Sequence, residues 1–114
     1  MHFLWISRHL LNEDQKNSLE RIFGQVEVRQ WDGTLEHPRQ LGEDLEWADV
    51  VGAVLPIGMM AELKGAMGEK RLLMARSGRK ETGGYEKNGE KEYRFVHLYW
   101  EEIKRLELEV DILQ

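Results

Sequence analysis

Two apolar runs constrain this chain more than anything else in it. His2–Phe3–Leu4–Trp5–Ile6 stops at Ser7–Arg8–His9, and Asp49–Val50–Val51–Gly52–Ala53–Val54–Leu55 stops at Pro56–Ile57–Gly58. A run that is nearly continuous rather than alternating reads as a strand buried on both faces, and such strands belong to parallel sheets covered by helices. A helix-like segment follows each run. After the first, Asn12 is placed to cap a helix, with Gln15 three residues on as a weaker form of the capping box. Leu19, Ile22 and Phe23 then recur at helical spacing, and Gly24 ends the segment. After the second, Met59, Met60, Leu63 and Met67 follow on a helix that ends at Gly68, its methionines reading as core fillers.

Val26–Trp31 alternates and reads as a further strand, followed by a turn at Asp32–Gly33. Residues 38–47 read as a helix opened by Pro38, with Leu41, Leu45 and Trp47 inward and Gly42 weakening it. Trp5, Trp31 and Trp47 are expected in the core. Lys70–Arg76 reads as the fourth strand. Residues 77–92 are polar and glycine-rich, with Asn88–Gly89 as a hairpin turn. Tyr93–Tyr99 reads as a strand, Trp100–Arg105 as a helical turn, and the strict alternation of Leu106–Ile112 as an acidic edge strand. The expected architecture is α/β: a parallel sheet of about four strands flanked by helices, then a C-terminal β-hairpin arm (76–114) and an antiparallel tail strand. It forms one domain over residues 1–114.

The chain of 114 residues carries 16 basic and 21 acidic side chains, a net charge of −5. That balance argues against coating long nucleic acid or binding an anionic membrane, while leaving room for a local basic pocket. With no cysteine, disulfides, thiol catalysis and cysteine metal sites are excluded. The apolar start is too short for a signal peptide or a membrane span and lacks a basic lead-in, so a cytoplasmic location is expected. A chain this small buries little surface alone, and a dimer is a natural way to bury more.

In an open α/β sheet, ligands bind outside the carboxyl ends of the strands. If the two apolar strands are central and parallel, Ser7, Arg8 and His9 meet the helix start at Gly58 there. A guanidinium, a hydroxyl, an imidazole and free backbone N–H groups together suit phosphate. The bland account is that a buried strand ends in polar residues and that Pro56–Ile57–Gly58–Met59 is an ordinary strand-to-helix turn. Arg76, Ser77, Arg79 and Lys80 are a third candidate, closing over the same crevice, with a solvated hairpin arm as the plain alternative. Tyr85 and Tyr93 are the aromatics best placed to stack on a base, although hairpin pairing explains them more simply. No G-x-G-x-x-G or phosphate-loop motif is present, and His2, His9, His37 and His97 lack metal-ligand spacing, so no metal or cofactor is expected. His97 reads as a face residue of its strand. Asp49 with Glu62–Leu63–Lys64 has the composition of a metal-nuclease triad, but it puts the Glu and Lys on a helix and the Asp at the entering end of a strand.

Ile6–Ser7–Arg8–His9 and the stretch Asp49–Gly58 with its Val54–Leu55–Pro56–Ile57 core resemble small CRISPR-associated proteins of the minimal CARF-like, Rossmann-like type, several of which are ring nucleases. The likeness covers residues 1–76. It implies a minimal Rossmann-like sheet and a homodimer around a cyclic oligoadenylate second messenger of type III CRISPR antiviral signalling. It also implies metal-independent cleavage, in which a ribose 2′-hydroxyl attacks the adjacent phosphodiester and leaves a 2′,3′-cyclic phosphate. Carried onto this chain, Arg8 stabilises phosphate charge, His9 is the acid or base, Ser7 assists, and Gly58 and Met59 belong to the second turn of the site. The arm from Ser77 onward departs from that pattern. Two other readings stand beside it: a nucleotide sensor without chemistry, and a defence-related protein that binds a partner through its arm and acidic tail.

Overall fold

In the computed structural model, which describes residues 1–114, five strands form one sheet in the order β2-β1-β3-β4-β5. Strands β1 (His2–Ile6), β2 (Glu27–Trp31), β3 (Val50–Ala53) and β4 (Arg71–Tyr85) are parallel, and β5 (Lys91–Ile103) is antiparallel to β4. The two apolar runs are therefore adjacent and parallel, with Trp5 opposite Gly52 and Ile6 opposite Ala53. Chain order reverses at β1, whose neighbours are β2 on one side and β3 on the other, and a crevice opens at such a point.

Helix α1 (Glu13–Phe23) covers one face of the sheet. It starts in a full capping box: the Asn12 side chain accepts from the Gln15 amide N–H at 2.8 Å, and Gln15 Oε1 accepts from the Asn12 N–H at 3.0 Å. Leu19 of α1 packs on this face with Phe3, Trp5, Val26, Val50 and Leu73. The opposite face carries α2 (Glu43–Trp47), preceded by a 3₁₀ turn at Pro38–Leu41, and α3 (Ile57–Met67). Leu4, Ile6, Val51, Met60, Leu63, Met67 and Leu72 pack there. Trp5 is buried, whereas Trp31 and Trp47 are only half-buried at the rim. Lys70 fastens the short α2: its Nζ donates to the carbonyls of Leu45, Glu46 and Ala48 at 2.5, 3.1 and 2.8 Å, a cation placed on the negative end of a helix.

The C-terminal third differs from the expected layout in three ways. β4 does not stop at Arg76 but runs to Tyr85, because β5 pairs with it along almost its whole length. Trp100–Ile103 is part of β5, not a helical turn, and Trp100 is locked in place by packing edge-on against Phe3 and Trp5 at 5.6 Å each and by donating to the Gln15 carbonyl at 3.2 Å. The alternating tail Leu106–Ile112 forms no strand. Leu106 instead packs against the α3-side core, and Leu108 joins it beside Gly58 and Met59. The hairpin turn falls where Asn88–Gly89 placed it: Gly89 takes a positive φ of 86° and its N–H donates to the Glu86 carbonyl at 3.0 Å. No helix is long and apolar enough to cross a membrane.

Candidate functional site

The turn after β1 is held rigidly by the strands around it. The Ser7 N–H donates to the Trp31 carbonyl at 3.1 Å, which continues the β1–β2 ladder one residue past the strand. Gln30 Nε2 donates to the Ser7 carbonyl at 2.7 Å and to the His9 carbonyl at 3.1 Å, and the Trp5 indole N–H donates to the same His9 carbonyl at 2.8 Å. Within the turn the His9 N–H donates to Ser7 Oγ at 3.1 Å. The backbone of Ser7–His9 is thus tied down from two strands, while the side chains of Arg8 and His9 are exposed. The backbone of the turn is thus preorganised, whereas the His9 ring is held by no hydrogen bond of its own.

Arg8 lies in a cleft of about 440 Å³ built by three strand exits. Ile6, Ser7, Arg8 and His9 come from β1, Gly33, Thr34 and Leu35 from β2, and Val54, Leu55 and Pro56 from β3. Its guanidinium donates to Thr34 Oγ1 at 2.5 Å and makes no ion pair. No acidic residue lines the cleft, although the chain holds 21 of them. A full positive charge therefore faces a concavity with no carboxylate to neutralise it, and charge-assisted hydrogen bonds to an anion are open to it. The His9 imidazole makes no hydrogen bond; only its backbone is engaged.

The second turn contributes less than its sequence promised. Pro56 lines the Arg8 cleft, but Ile57 projects into solvent, and Gly58 and Met59 line a separate groove with Glu36, Glu62 and Leu108. The cause is the first turn of α3, which carries the chain to the α3 face of the sheet immediately after Pro56. The third candidate group also lies elsewhere. Arg76 pairs with Glu101 at 2.9 Å across the β4–β5 ladder, and that carboxylate holds the guanidinium firmly in its charged form. Ser77, Arg79 and Lys80 sit on the arm, where Arg79 stacks over Tyr93 at 4.7 Å, and none of them lines the cleft. Asp49 accepts from the His2 N–H at 2.8 Å at the entering end of the sheet, remote in the topology from the strand exits.

Reading along the chain singled out neither Gly33, Thr34, Leu35, Val54 and Leu55, which line the cleft, nor Gln30, which braces its turn from β2. The one available signal was the Asp32–Gly33–Thr34 turn after β2, which becomes relevant only once β2 is known to lie beside β1. No three His, Asp or Glu side chains converge as a metal-binding set. No family model, curated protein or solved structure matches this chain.

Proposed function

We propose that this chain is a ring nuclease of minimal Rossmann-like fold, which binds a cyclic oligoadenylate between two copies and cleaves it during type III CRISPR antiviral signalling. The observation that carries the reading is Arg8: an unpaired guanidinium in a cleft free of carboxylates, at the exits of parallel strands, in a chain of net charge −5. A cation so placed can take charge-assisted hydrogen bonds from an anion such as a phosphodiester. A ring of four or six adenylates is larger than one such cleft, and two clefts related by a two-fold axis match the symmetry of the ring.

The chemistry asks little of the protein beyond alignment and charge. The ribose 2′-oxygen forms a bond to the adjacent phosphorus as the bond from phosphorus to the 5′-oxygen breaks. A proton leaves the 2′-hydroxyl and one is delivered to the departing 5′-oxygen, giving a 2′,3′-cyclic phosphate and a 5′-hydroxyl. Arg8 neutralises the negative charge that builds on the non-bridging oxygens, the Ser7 hydroxyl orients the phosphate, and the His9 imidazole transfers the proton. Product analysis after incubation with cyclic tetraadenylate and cyclic hexaadenylate in the presence of a chelator tests this. Linear products ending in a 2′,3′-cyclic phosphate are expected, and intact rings with no heat of binding would overturn the reading.

One observation favours a second reading, a sensor that binds the ring without cutting it. A catalytic histidine is ordinarily oriented by a hydrogen bond to its ring, and His9 has none. Tight binding with no product after long incubation selects the sensor.

A further inference from the structure

We propose that the β4–β5 arm is a second binding site, for single-stranded nucleic acid: bases stack on Phe95 and on the Arg79–Tyr93 pair, while Lys80 and Arg94 hold phosphate. The site is separate from the Arg8 cleft and does not depend on the reading given for that cleft.

The arm is a ribbon of two strands. β4 makes its last pairing with β3 at Gly52–Leu73, then continues to Tyr85 with β5 as its only strand partner. In an antiparallel ladder, residues directly opposite each other point to the same face. Arg79 lies opposite Phe95, and Tyr93 is the next residue of β5 on that face. Phe95 is 80% exposed. Tyr93, 43% exposed, carries the Arg79 guanidinium over its ring at 4.7 Å. Two flat groups thus stand side by side, a bare phenyl ring and a guanidinium backed by a phenol. Nucleobases stack on both kinds of plane, and every base has the π-face that such stacking needs. A duplex keeps those faces inside its own stack, so the single strand is the form that fits.

Charge points to the same partner. Residues 76–94 hold six basic and four acidic side chains, whereas residues 1–75 hold eight and twelve, and residues 95–114 two and five. The net charge of −5 therefore conceals a basic arm on an acidic molecule. On the second face of the arm, Lys80 lies directly opposite Arg94. Like charges so placed repel, and neither makes an ion pair. A phosphate between them removes that repulsion, which an apolar partner does not. Arg94 also reaches a groove of about 540 Å³ shared with Arg79, Tyr93 and Phe95, which joins the cation pair to the stacking planes. The four carboxylates of the arm leave these cations free. Glu81 is engaged by Lys91 at 3.3 Å, Glu92 accepts from Thr82 at 3.0 Å, and Glu86 and Glu90 stand at the hairpin turn.

Fluorescence anisotropy with a labelled, unstructured RNA strand of about 12 nucleotides tests the proposal. Binding is expected at low salt. Log affinity should fall against log salt with a slope of about −2, the value for phosphates contacted by Arg79, Lys80 and Arg94. A DNA strand of the same sequence should also bind, and its duplex more weakly. Phe95→Ala should weaken binding about tenfold, and Arg94→Glu at least as much. Both positions are exposed, so both variants should keep the melting temperature. Lys16→Glu makes the same charge change as Arg94→Glu on the exposed side of α1, and should alter binding by less than about twofold. No binding at low salt, tighter binding of the duplex, indifference to Phe95→Ala, or an equal loss in Lys16→Glu would each overturn the proposal. Excess cyclic tetraadenylate should leave the strand bound; full displacement would put the strand in the Arg8 cleft and overturn the proposal too. Failure of the cleft to bind cyclic oligoadenylate leaves the arm site standing.

Discussion

The body and the arm of this protein are held together by different forces. All 20 buried residues lie between Phe3 and Leu73, and the 41 residues from Met74 onward contain none. The body is a conventional sandwich of helices on a parallel sheet, stabilised by removing Leu, Val, Phe and Met side chains from water. The arm is a backbone ladder decorated with ion pairs, Arg76–Glu101 and Lys91–Glu81 among them, and exposed pairs of this kind contribute little each. It is anchored to the body only at its base, through half-buried Met74, Ala75, Trp100 and Ile103. One region carries a core of its own; the other carries none. The cleft belongs to the body, at the exits of β1, β2 and β3.

The sharpest way to break this contrast is a matched pair of truncations. Leu63 is fully buried on the inner side of α3, so Leu63→Ala should cost about 3 kcal/mol, while Phe95→Ala on the arm should stay within about 0.5 kcal/mol. Chemical denaturation of both variants checks the difference, and equal losses would mean that the arm has a core of its own.

Lys70→Met comes next. Removing the ammonium leaves the carbonyls of Leu45, Glu46 and Ala48 without their donor and should cost about 2 kcal/mol, a loss located in the body and readable by the same unfolding experiment.

The smallest effect concerns the junction. His97 packs beside Trp100 at 5.4 Å with both ring nitrogens buried and unpartnered, and this burial holds its pKa below the ordinary value of 6.5. The folded imidazole then takes up a proton less readily than the unfolded one, so stability is greatest above that value and falls as pH drops through it. His97→Leu should flatten this part of a melting-temperature profile. An unchanged profile would show that His97 does not sense the fold.

How far the chain could be read in advance follows the same division. β1 and β3 were legible because burial on both faces leaves no room for polar residues, and α1 because Asn12 and Gln15 spell out its cap. The Asn88–Gly89 turn was legible for stereochemical reasons of its own. The end of β4 was not, since Arg76–Tyr85 buries nothing and is a strand only because β5 pairs with it. The tail misled for the converse reason: alternation describes what Leu106–Ile112 would do on a sheet edge, whereas Leu106 packs against the α3-side core and the segment pairs with no strand. In the cleft, Arg8 was legible because it directly follows a buried strand. Gln30 and Thr34 were not, because they join it only through the lateral order of the strands, which periodicity does not encode. Gly58 and Met59 fell outside the cleft because a helix start turns away within one residue of Pro56.

The most direct test of the cleft is calorimetric titration of cyclic tetraadenylate and cyclic hexaadenylate into the unmodified protein and into Arg8→Ala, with chelator present. Arg8 is exposed and its one side-chain contact is to Thr34, so the variant should keep its melting temperature. The account predicts binding to the unmodified protein and a loss of about a hundredfold or more in the variant. Equal binding by both proteins, or none by either, would contradict it.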